Sequence, residues 1–70
     1  MIEFELEGRP FVQLNDLIKI LGLANSGGQA KLMIADGMAT VDGEVELRKR
    51  CKIREGQVVE FMGQEIVIRA

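Results

Sequence analysis

The sequence predicts an α+β fold: an N-terminal strand, two packed short helices, then a small antiparallel sheet. Three observations carry this. Residues 2–7, IEFELE, alternate apolar and acidic side chains. Residues 14–34 change to a helical period, in two segments separated by a capping signal. From residue 38 onward, glycine-centred turns divide runs of β-forming residues.

Each element follows from its residues. In IEFELE, Ile2, Phe4 and Leu6 point to one side and three glutamates to the other, the pattern of a half-buried strand whose charges suit a sheet edge. Gly8-Arg9-Pro10 ends it. Leu14, Leu17, Ile18 and Leu21 then share one helical face, and Gly22 stands where a left-handed C-terminal cap is wanted. Ser26 and Gln29 have the spacing of a capping box, so a second helix of about ten residues starts at Ser26, carries Ala30, Met33 and Ile34 as an apolar stripe, and closes at Gly37. Asp42-Gly43 between β-formers predicts a hairpin with a type I′ turn. A further turn falls at Gly56, and Gly63-Gln64 is read as the two-residue turn of a last hairpin.

Seventy residues make one domain, 1–70, small enough to be only marginally stable on core packing alone. At 47% hydrophobic and 29% charged, the chain is a globular sequence and not a disordered one. The absence of His leaves no side chain that titrates near neutrality without a large perturbation. The single Cys excludes an internal disulfide and a cysteine-rich zinc site. No enzyme, cofactor or metal is therefore expected. The acidic, alternating N-terminus is unlike a signal peptide, and no apolar run approaches the roughly 20 residues that span a bilayer. A cytoplasmic monomer is expected, with no membrane partner.

The charge distribution is uneven. Nine basic residues face eleven acidic ones over the whole chain, yet five of the nine lie in residues 48–54, a segment without an acid. If that segment is extended, Arg48, Arg50, Lys52 and Arg54 share an outward face while Cys51 and Ile53 point inward with Lys49. Such a row repels itself unless an anion, or acids such as Glu44, Glu46 and Glu55, neutralise it. A second candidate is the start of the second helix. Ser26, Gly27 and Gly28 present backbone N–H groups at the positive end of a helix dipole with no bulky side chain before them, and Lys31 follows one turn later. The plainer reading is that the glycine pair lets two helices approach closely. Cys51 has basic neighbours, but its inward parity makes it a packing residue. Of the three aromatics, Phe4 and Phe61 fit the core, so no stacking platform is evident, and recognition of folded RNA by phosphate and shape fits better than single-strand binding.

These pieces, in order, resemble a known family. Ser26, Ala30, Lys31, Ile34 and Gly37, then Ala39-Thr40-Val41-Asp42-Gly43, the basic run from Arg48 to Lys52, and Gly56-Gln57-Val58 are similar to the RNA-binding domain first known in the fourth small-subunit ribosomal protein, the α-L motif. The match covers about residues 12–61, and SGGQAK and RKRCKI look most like its small stand-alone bacterial group, the YbcJ-like proteins. The resemblance implies binding of structured RNA, ribosomal or transfer RNA or ribosomal particles, through the helix pair and the basic loop. Where relatives begin the second helix Ser-Arg, this chain has Gly27, so one phosphate contact implied by the resemblance is missing. The expected site is Ser26, Gly27, Gly28, Lys31, Arg48, Lys49, Arg50, Lys52 and Arg54. The alternative is a protein-interaction module that docks an acidic partner on the same basic patch.

Overall fold

A computed structural model describes residues 1–70. The order is β1 (Ile2–Glu5), β2 (Val12–Gln13), α1 (Leu14–Ile20), α2 (Gly27–Ala35), β3 (Ala39–Val41), β4 (Glu44–Val45), β5 (Lys52–Ile53), β6 (Val58–Phe61) and β7 (Gln64–Arg69). The fold is α+β, as the sequence predicts. Five strands form one sheet in the order β1-β7-β6-β3-β4, and β2 and β5 form a separate antiparallel ladder. β1 occupies the expected edge, but it runs parallel to β7, with Ile2 opposite Ile66 and Phe4 opposite Ile68, so the sheet is mixed. Nothing local encodes this pairing of the first strand with the last.

Alternation places Phe4 of β1, Val59 and Phe61 of β6, and Ile66 and Ile68 of β7 in one core with Leu14, Leu17 and Ile18 of α1 and Ala30 and Ile34 of α2. Each fully buried Leu, Ile or Phe contributes about 1.5–3 kcal/mol, and the helices supply their share through narrow faces. Leu21 is only half-buried, at the end of its helix. Gly22 and Gly37 take φ of +74° and +83°, where a Cβ would strain the chain as it leaves each helix. Ser26 Oγ accepts from the Gln29 N–H at 3.1 Å. The Gln29 side chain returns to the Asn25 N–H, one residue before the position a capping box uses.

Asp42 and Gly43 turn the β3–β4 hairpin with φ of +52° and +88°, the type I′ signature. In the last hairpin Phe61 pairs with Gln64, so the turn residues are Met62 and Gly63, not Gly63 and Gln64. Glycine takes the second turn position, and Met62 accepts a φ of +52° that side chains rarely adopt. The shift keeps Ile66 and Ile68 on the core face; a one-residue slip would turn both to solvent.

Candidate nucleic-acid interface

The basic segment does not run as one extended strand. Arg48 to Cys51 form a turn, closed by the Cys51 N–H donating to the Arg48 carbonyl at 3.2 Å, and only Lys52 and Ile53 are strand. The reason lies in its partner. β2 offers two residues before α1 begins, so the ladder ends at the pair Gln13–Lys52. Beyond it the segment docks by its carbonyls: Cys51 O accepts from the Leu14 N–H at 2.9 Å and Lys49 O from the Asn15 N–H at 3.0 Å. These are first-turn amides of α1, orphaned in any helix. No side chain caps that helix. The basic turn is its cap, and Ile53, with no exposed surface, pins the other end of the segment in the core.

The predicted single row of cations is accordingly divided. Lys52 and Arg54 share an outward face around inward Ile53, as expected; Arg48 and Arg50 are carried around the turn. Arg48, Arg50 and Lys52, with Cys51, line one open cavity of ≈ 380 Å³. Lys49 projects from the exposed turn. Arg54 lies over the Phe11 ring, its guanidinium carbon 5.6 Å from the centroid, beside Lys52 Nζ at 5.1 Å.

Arg48 is the one member with an ionic partner. Glu46 Oε2 accepts from its Nε and its backbone N–H, each at 3.0 Å, and Oε1 accepts from Nη2 at 3.1 Å. The side-chain bonds from Arg48, followed by its backbone N–H, hold the Glu46 carboxyl at a pKa of about 2, well below its ordinary value. The same bonds raise Arg48. Of the acids expected to balance the patch, only Glu46 pairs with it; Glu44 and Glu55 form no ion pair, and Lys49, Arg50, Lys52 and Arg54 carry unpaired charge. Burial pushes the Cys51 thiol up, and the neighbouring Glu46 carboxylate adds to the shift, so Cys51 is no activated nucleophile. It is half-buried and packed against the core.

Ser26, Gly27, Gly28 and Lys31 sit on α2 and line none of that cavity. Ser26 caps Gln29, which leaves the Gly27 and Gly28 amides ahead of the first intrahelical bond, Ala30 N–H to Ser26 O at 3.0 Å. A Cβ built on Gly27 meets nothing within 4 Å, and one on Gly28 meets only Ser26 Oγ at 3.9 Å. Close helix approach therefore does not explain the glycine pair. Phe11 leaves no signal in the sequence, because its position beside two cations depends on a ladder of two residues per strand, too short to show as alternation.

The family model for the S4 domain matches residues 4–69. The chain is 50% identical, over the full length of both, to YbcJ of Escherichia coli (strain K12), whose name gives RNA binding as a proposed property, and to YbcJ of Shigella flexneri at the same identity and coverage. The solution structure of the E. coli protein, described as revealing an α-L motif involved in RNA binding, superposes with a TM-score of 0.76 over 100% of this chain and 89% of that one. The 30S ribosomal protein S4e of Thermoplasma acidophilum shares the fold over 74% of this chain and 26% of its own, with a TM-score of 0.57 at 23% identity. With the family model spanning nearly all of its residues and a full-length relative at half identity, this chain belongs to the S4 domain family.

Proposed function

We propose that this protein is a non-catalytic RNA-binding module of the bacterial cytoplasm, acting as a monomer on structured RNA such as ribosomal or transfer RNA. One observation carries the reading: four cations without ionic partners stand on a segment whose backbone is hydrogen-bonded to the start of α1 and anchored by Ile53. Charge carried on a fixed backbone loses little loop entropy on meeting a phosphate backbone. An acidic protein overall, with formal charge −2, gains from this an attractive face. Lys49, Arg50 and Lys52 contact phosphates. Arg54 sits at the margin, and Arg48 contributes when Glu46 releases it. The free amides of Gly27 and Gly28, with Lys31 one turn on, supply a second phosphate contact at the positive end of α2. The names of the relatives point the same way. The test is ultraviolet crosslinking in cells, with sequencing of the bound RNA. Recovery of defined stem-loop regions, and release of the protein from its native assembly by ribonuclease, are expected. Retention in a ribonuclease-resistant protein complex with no RNA crosslink would overturn the reading in favour of an acidic protein partner.

A further inference from the structure

We infer that Phe11 is a stacking platform for one unpaired nucleotide of the bound RNA, in the groove between residues 9–13 and the outer face of α1. This rests on the RNA-binding reading above and deepens it. The groove is ≈ 410 Å³, lined by Arg9, Phe11, Gln13, Asp16, Lys19 and Ile20, with Val12 at its floor. That lies within the roughly 300–1,000 Å³ of small-molecule sites.

The β2–β5 ladder makes the site. Its register pairs Val12 with Ile53 and Gln13 with Lys52. Val12 and Ile53 are buried. Side chains alternate along a strand, so Gln13 and Lys52 face outward, and one further step of the same register sets Phe11 opposite Arg54. The outer face of the ladder is thus an aromatic ring and an amide on one strand beside two cations on the other. Lys52 and Arg54 both approach the ring, yet neither lines the groove. The part of the ring that lines the groove is therefore bordered there by neither cation.

The lining suits a nucleotide. The half-buried Phe11 ring and exposed Ile20 offer the apolar surface on which a base stacks. Gln13 and Asp16 offer hydrogen-bonding groups to a base edge. Lys19 and Arg9 stand at the rim for the sugar-phosphate. Arg9 is already fixed, its Nε donating to Leu6 O at 2.8 Å and its guanidinium lying 5.6 Å from the Phe4 ring. Lys52 lines both this ladder face and the cavity shared with Arg48 and Arg50, so a strand crossing the basic turn arrives at Phe11. A paired base cannot present its face there; a bulged or loop nucleotide can.

The probes are two RNA hairpins of one sequence, one carrying a single-nucleotide bulge of 2-aminopurine and the other with that residue paired in the stem. The bulged hairpin is expected to bind about five- to a hundredfold more tightly, the size of a base–aromatic stack, with a rise in 2-aminopurine emission as the base leaves its RNA neighbours for the Phe11 ring. Phe11→Leu keeps the apolar bulk and is expected to erase that preference, so that the two hairpins bind the variant equally. The Phe11 ring resonances of the unaltered protein, followed by NMR, provide a readout independent of the variant: they shift with the bulged hairpin and not with the paired one. Equal binding of both hairpins with unmoved ring resonances, or a preference that survives in Phe11→Leu, overturns the platform while RNA binding stands. Failure of both hairpins to bind overturns the platform and the RNA-binding reading together.

Discussion

Changing Glu46 to Gln should strengthen RNA binding. The Glu46–Arg48 pair is the only ionic contact within the basic turn, with Arg48 78% and Glu46 17% exposed at the side chain. Its contribution to stability is small, because solvent screens the exposed Arg48 end of the pair. Glutamine keeps the shape and an oxygen that accepts from the Arg48 N–H, so the turn survives. What changes is charge: the patch gains one positive unit and Arg48 becomes available to a phosphate. One added contact contributes about 0.7 to 0.9 to the slope of log affinity against log salt. Referred to a molar salt standard, that corresponds at 0.1 M salt to about five- to eightfold in affinity. The assay is fluorescence anisotropy of a labelled RNA hairpin titrated with each protein across a salt series. The variant is expected to bind more tightly at low salt, with a steeper slope, and to converge on the parent at high salt. An unchanged or weakened affinity in a folded Glu46→Gln protein would refute the reasoning and make the pair a device that shapes the turn. The pair also sets an acid dependence. Because the folded Glu46 carboxyl is depressed to about 2, its stabilisation is complete above its ordinary value near 4.5 and fades as pH falls toward 2. The stability difference between parent and variant should follow that window.

Ser26→Ala removes the side-chain acceptor at the start of α2 and should lower stability by about 0.5–2 kcal/mol in urea unfolding. Gly28→Ala should be neutral or stabilising by up to about 1 kcal/mol, since the added Cβ meets only Ser26 Oγ at 3.9 Å and alanine favours a helix; if the Gly28 amide meets phosphate, the same variant binds RNA more weakly, whereas unchanged affinity removes that contact from the interface. Cys51 should react with iodoacetamide more slowly at pH 8 than an unstructured peptide thiol, because burial disfavours its thiolate; a faster reaction would contradict its packing assignment.

Much of the fold could be read from short-range chemistry. Ser26 and Gln29 marked a helix start because a cap bond spans three residues. Asp42-Gly43 marked a hairpin because few residue pairs accept two positive φ values. Phe4 and Phe61 fell into the core because alternation is local. What could not be read depends on partners distant in the chain. β1 finds β7 across the whole sequence. The basic segment turns at Lys49-Arg50, without glycine or proline, because β2 is short and the first amides of α1 need acceptors. Residue parity alone therefore grouped Arg48 and Arg50 with Lys52 and Arg54, and it placed Lys49 inward. Charge clustering located the candidate interface; only the β2–β5 register showed that Phe11 adjoins it.

The central claim is that the cations of the 49–54 segment exist to contact RNA phosphates. Its most direct measurement is the salt dependence of affinity for an RNA hairpin, beside duplex DNA of equal length, for the parent and an Arg50→Gln, Lys52→Gln protein. Three to four phosphate contacts, Lys31 included, predict a slope of about −2 to −4 for the parent. The double variant should be shallower by about 1.4 to 1.8, and duplex DNA should bind weakly against the acidic remainder of the surface. A flat response to salt, or a double variant with the slope of the parent, would contradict the account and leave the basic segment a solvated cap on α1.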